Sequence, residues 1–137
     1  VGLLSLAATK AAGWDAPGLH WNVMERRARQ FGKTAERRKW RPVGVKHSAE
    51  TREHARRDFE HGIAPWFRYF QTVAGSRQMN LTGKEAGETI DYASESGTGV
   101  SGTPDDCKQQ IERLMAQSNG GFVTFLLLAY EWANTAT

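Results

Sequence analysis

Apolar residues along this chain alternate between short continuous runs and helical stripes. Val1–Ala8 is a short apolar run and predicts a strand. Thr9–Gly18 carries two Gly and a Pro and predicts a turn region. Leu19, Val23, Met24, Ala28 and Phe31 then follow at helical spacing, with Arg26, Arg27, Arg29 and Gln30 between them. This predicts an amphipathic helix over Leu19–Phe31, stopped by Gly32. Trp40–His47 predicts a second strand, with Pro42 near its start, where a missing N–H is tolerated. Ala55, Phe59, Ile63, Trp66, Phe67 and Phe70 form the next stripe, capped by Ser48 or Thr51. Pro65 lies inside it and predicts a kink or break near Ala64.

The pattern weakens over Ala74–Thr103, which six Gly punctuate. Lys84–Ser94 predicts one short helix anchored by Ile90 and Tyr92, although Gly87 weakens it. Thr103-Pro104-Asp105-Asp106 is a helix start: an N-cap, a Pro suited to the first turn, and two acids on the positive end of the helix dipole. Cys107, Ile111, Leu114 and Met115 form its apolar stripe, and Asn119-Gly120-Gly121 ends it. Phe122–Ala129 is apolar almost throughout and predicts a third strand, buried on both faces as in parallel sheets. Strands alternating with helices predict an α/β fold with a parallel sheet and crossover helices.

Composition narrows the reading. At 137 residues and 39 % hydrophobic, the chain can bury a core, and its 10 % aromatics argue against disorder. The longest mostly apolar run, Phe122–Tyr130, is less than half of the ~20 residues a spanning helix needs. One Cys leaves no internal disulfide and no Cys-built zinc site. The lone thiol and the lack of an export signal point to the cytoplasm. Charge is uneven. Glu25–Arg57 holds twelve Lys and Arg against four Glu, whereas the rest of the chain is net acidic. Such a block is either a solvated helix surface or a face for an acidic partner. The interleaved Glu favour the solvated surface and disfavour nucleic acid.

Few residues combine into chemistry. Gly97-Thr98-Gly99-Val100-Ser101-Gly102 matches G-x-G-x-x-G, but no predicted strand precedes it and no acid follows at the required distance. A flexible Gly loop before a capped helix accounts for it better. His54 and His61, near Glu50 and Asp58, form no i, i+4 pair, so no metal site is expected. His20 beside Trp21 suits packing or capping, and Cys107 a buried structural thiol. His47 differs, because it ends a predicted parallel strand, where groups face the ligand in α/β folds. Thr9 and Glu131-Trp132 occupy the matching places after the first and third strands.

Several segments in order resemble the C-terminal part of luciferase-like flavin-dependent monooxygenases, with the flavour of the limonene-oxidising branch. They are Gly2-Leu3-Leu4-Ser5-Leu6-Ala7-Ala8-Thr9, then Trp40-Arg41-Pro42-Val43-Gly44-Val45-Lys46-His47, then Ala49-Glu50-Thr51-Arg52-Glu53-His54-Ala55-Arg56. Trp66-Phe67-Arg68-Tyr69-Phe70, Gly102-Thr103-Pro104-Asp105-Asp106 and the run Gly120–Trp132 follow.

The resemblance implies the C-terminal portion of a (β/α)8 TIM barrel, with about three parallel strands, residues 1–137 forming one unit and 74–103 crossing the barrel mouth. A complete barrel needs ~250 residues, so the first five strands would lie outside this sequence. The implied cofactor is reduced FMN, supplied by a separate flavin reductase, with which oxygen oxidises a small organic substrate. Ser5, Ala8, Thr9 and Glu131 would contact the flavin, and His47 would line the mouth as the catalytic candidate. The remaining barrel segments, or a second copy of the chain, would close the open sheet edges. Two other functions stay open at this point: a non-catalytic interaction module with a basic face, and a deazaflavin-dependent oxidoreductase of the same fold.

Overall fold

The capping chemistry around Thr103 forms as the sequence predicts, and it anchors the C-terminal half of the molecule. In a computed structural model, the Thr103 Oγ1 accepts from the Asp106 N–H (3.4 Å) and the Asp106 carboxylate accepts from the Thr103 N–H (2.9 Å). This reciprocal box satisfies two donors that the first helical turn leaves unpaired. The structure describes residues 3–6, 16–74, 86–96, 99–124 and 133.

The elements are β1 (Leu3–Leu6), α1 (Ala16–Gln30), β2 (Trp40–Val43), β3 (Val45–Ser48), α2 (Arg52–Ala74), α3 (Ala86–Ser96), β4 (Gly99–Gly102) and α4 (Pro104–Gln117). A short 3-10 turn, Arg37–Lys39, leads into β2. β1 pairs with β2 in parallel, with Ser5 in register with Pro42 and Leu6 with Val43. β3 pairs with β4 in parallel, with His47 in register with Ser101. The chain is thus α/β with parallel strands joined by helical crossovers, as expected.

Several local expectations are corrected. The single strand predicted over Trp40–His47 is two, split at Gly44, and each half pairs with a different neighbour. The Gly segment read as a flexible loop contributes β4. Its last glycine is needed for close approach, because a Cβ on Gly102 would sit 2.5 Å from Asp106 Oδ2. No break occurs at Pro65, and α2 runs through it. Phe59 and Ile63 before the proline and Trp66 and Phe67 after it enter the same core cluster. Burial of four such side chains, each about 1.5–3 kcal/mol, outweighs the ~3 kcal/mol cost of an interior proline.

The buried face of α1 is also rotated from the predicted one. Trp21 is buried, whereas Leu19, Val23 and Phe31 are exposed. The indole removes more apolar area from water than the smaller aliphatic side chains would. The helix predicted over Lys84–Ser94 lies two residues later, with Ile90 buried and Tyr92 packed beside it. Phe122–Thr124 is not strand, and the rest of the third predicted strand lies outside the described residues.

Two core clusters result. One joins Val45 of β3 to Phe59, Ile63, Trp66 and Phe67 of α2 and to Ile90 and Ala93 of α3. The other joins Trp21, Trp40, Leu114 and Phe122. No helix among the described residues is long and apolar enough to cross a membrane.

Candidate functional site

Alternation along β3 decides where His47 goes. Val45 and His47 lie on one face of the strand, Lys46 and Ser48 on the other. The Val45 face packs under α2, so the imidazole is drawn there as well. It stacks on Phe59 with the rings 3° from parallel and their centroids 5.9 Å apart. Its Nε2 stands 3.4 Å from Asp58 Oδ2, and the side chain is 17 % exposed. His54 Nε2 reaches the same carboxylate oxygen at 3.3 Å from the solvent side.

One carboxylate thus faces two imidazoles, and the inner ring is held in plane by an aromatic neighbour. A carboxylate opposite Nε2 favours the proton on that nitrogen, which leaves Nδ1 as the acceptor. The arrangement can orient an imidazole. Sequence reasoning placed Asp58 only near His54 and His61. Its pairing with His47 spans eleven residues and depends on how α2 folds back over β3. His61 is exposed, and no cluster of three potential metal ligands occurs among the described residues.

The other candidates divide by position. Ser5 lies in β1, at the level of Pro42 on β2. His47 is five residues further along the extended run, roughly 16 Å at the usual rise per residue. The described strands therefore do not bring Ser5 and His47 together. Ala8, Thr9 and Glu131 lie outside the described residues. His20 is half-buried, its Nδ1 has no hydrogen-bond partner, and burial lowers its pKa, which suits packing. Cys107 is half-buried rather than fully buried, and burial raises the pKa of its thiol. A protonated thiol is a poor nucleophile, in keeping with a structural role.

Part of the basic block is spent on the fold. Arg52 grips Asp106 through two bonds of 2.9 and 2.6 Å, joining the starts of α2 and α4. Arg56 grips Asp91 of α3 in the same manner. Arg37 donates to the carbonyls of Ser118, Asn119 and Gly121 at 2.9, 2.5 and 2.7 Å, and its guanidinium lies 4.2 Å from the Trp21 ring centroid. These carbonyls end α4, where Asn119, Gly120 and Gly121 all take positive φ. Arg26, Arg27, Arg29, Arg38 and Lys39 remain exposed, as expected of a solvated surface.

Parallel strands with helical crossovers define the class as an α/β fold. Comparison with known proteins then shows that the chain is similar to monooxygenases. It is 38 % identical over 134 residues to limonene 1,2-monooxygenase of Rhodococcus erythropolis, an alignment covering 98 % of this chain and 34 % of that protein. The resemblance noted in the sequence therefore holds, and the chain spans about a third of the curated relative's length.

Its fold matches a solved type II Baeyer-Villiger monooxygenase, the oxygenating constituent of 3,6-diketocamphane monooxygenase from the CAM plasmid of Pseudomonas putida, in complex with FMN. The TM-score is 0.55 at 22 % identity, covering 83 % of this chain and 33 % of that one. No protein-family model matches.

Proposed function

We propose that this chain is the C-terminal section of a flavin-dependent monooxygenase, built as part of a (β/α)8 barrel that oxidises a small organic substrate. The observation that carries the reading is the 38 % identity to limonene 1,2-monooxygenase, sustained over 98 % of the chain. The parallel pairing of β1 with β2 and of β3 with β4 supports the barrel portion. The unit is 1–137, with the segment 74–103 lying over the mouth. The remaining barrel segments close the sheet edges, since each described strand pairs with one neighbour.

The described residues fit part of a flavin site. The ends of β1 and β2 lie side by side at Leu6 and Val43, and a parallel α/β fold presents its ligand groups at such ends. Ser5, Ala8, Thr9 and Glu131 would hold FMN. When bound in its reduced form, delivered by a separate reductase, FMN supplies the oxygen-activating redox chemistry.

His47 is the chain's own contribution at the β3 end. Asp58 orients its ring and Phe59 fixes its plane, so it can hold a proton at one nitrogen and present the other. The test is titration of the intact protein with FMN, followed by its visible absorbance. Saturable binding is expected, with slower turnover or weaker flavin binding in His47→Ala. Absence of flavin binding would overturn the reading. Unchanged kinetics in His47→Ala would remove that residue from the site.

A further inference from the structure

A cavity of about 370 Å³ opens along the edge of β4 that faces away from β3, and none of the residues assigned above to flavin line it. Its wall on one side is α4, which contributes Asp106, Gln109, Gln110 and Arg113 at helical spacing. Arg52 from the start of α2 and Ser94 from the end of α3 complete the rim. The floor is Gly99–Ser101 of β4.

Three observations give this cavity a polarity. The Gly102 carbonyl accepts from Ala49 N–H at 3.0 Å, so Gly102 turns its backbone groups toward β3. In a parallel strand these groups alternate sides, which turns the N–H and C=O of Ser101 and of Gly99 away from β3. Ser101 Oγ, on the strand that floors the cavity, is itself buried from solvent and has no hydrogen-bond partner among the described residues. Buried polar atoms are seldom left unpaired without a reason.

The charges are also unequal. Asp106 is taken up by Arg52 and by the Thr103 cap. Arg113 donates to Gln110 Oε1 and, among the described residues, forms no ion pair. Among the described residues, the cavity therefore carries one guanidinium outside an ion pair, beside the exposed amide of Gln109.

We propose that this cavity binds the oxyanion of a small molecule, a carboxylate or a phosphate, with Arg113 as the charged anchor. A guanidinium fork matches two oxygens of either group, and the exposed amide of Gln109 supplies a further donor. The volume lies within the range of small-ligand sites. The site is separate from the flavin reading and stands or falls without it.

Calorimetric titration of the intact protein at constant ionic strength, with inorganic phosphate in one arm and succinate in the other, tests the proposal and separates the two sources. Saturable binding of at least one probe is expected. Arg113→Gln should weaken it at least tenfold, and so should Gln109→Glu, which places a carboxylate at the rim. Both positions are exposed on α4, so the fold should tolerate either change. Arg29→Gln, exposed on α1, should bind as the parent does. No saturable heat with either probe would overturn the proposal. So would parent-like binding in both Arg113→Gln and Gln109→Glu.

Discussion

The two core clusters are built on different principles. Around Phe59 the core is a stack of neighbours: four residues of one helix meet two of α3 and Val45 of β3. Around Trp40 each member comes from a different segment, with Trp21 from α1, Trp40 from β2, Leu114 from α4 and Phe122 from beyond α4. Trp40 sits 5.5 Å from Trp21 and edge-on to Phe122 at 6.0 Å. The first cluster is held by apolar burial along a helical stripe. The second also needs a polar clamp, because three α4-terminal carbonyls converge beside it and must be satisfied. Arg37 supplies that clamp and covers the Trp21 face at the same time. A core assembled from scattered segments thus depends on one guanidinium, whereas the core assembled from a helix does not.

That contrast can be broken by mutation in the intact protein, with stability read from urea unfolding. Phe59→Ala and Trp40→Ala should each cost about 3–5 kcal/mol, because both side chains are fully buried. Arg37→Ala should cost about 2–3 kcal/mol through lost charge-assisted bonds, and Arg37→Lys should recover little, since a point charge cannot serve three carbonyls at once. The sharper test is coupling. Arg37→Ala combined with Trp40→Ala should be non-additive by more than about 0.5 kcal/mol, and combined with Phe59→Ala it should be additive within that margin. Equal coupling in both pairs would mean the two clusters are one.

Smaller effects follow at the helix starts. Thr103→Ala removes the α4 cap and should cost about 0.5–2 kcal/mol. Several groups make stability depend on acid, His20 and Asp106 among them. Burial holds His20 below the ordinary value of 6.5, and Arg52 with the Thr103 N–H holds Asp106 well below 3.8. A group with a depressed folded pKa binds more protons when unfolded, so its contribution is present at high pH and lost as pH falls. Stability should therefore decline below about pH 6.5 and decline further below pH 3.8. Asp106→Asn should reduce the second decline and leave the first, the remainder coming from Asp91 and Glu36, which cationic neighbours also hold low. An undiminished second decline in Asp106→Asn would assign it to those other carboxylates.

Much of the fold could be read from local chemistry. The α2 stripe, the Thr103 cap and the Asn119-Gly120-Gly121 stop each depend on residues within a turn or two of one another. The candidate site was less legible. His47 stands out at a strand end, but its partner Asp58 is eleven positions away and meets it only because α2 crosses back over β3. Arg113 belongs to no motif, and Ser101 fills only a variable position of the glycine match. They share a cavity because β4 forms next to α4, and the pattern of small residues over 99–102 gave no sign of a strand.

Which segments are helical, and where α4 begins and ends, was legible from the chain alone. These are set by side-chain spacing and backbone preference over a few residues. Only the tertiary structure decided that Trp21 rather than Leu19 faces inward and that Pro65 leaves α2 unbroken. It also decided that Arg37 closes the end of α4 and that one extended run divides between two partners at Gly44. Each of these is a competition between contacts distant along the chain, and the winner is the arrangement that buries the most apolar surface while leaving the fewest backbone groups unpaired.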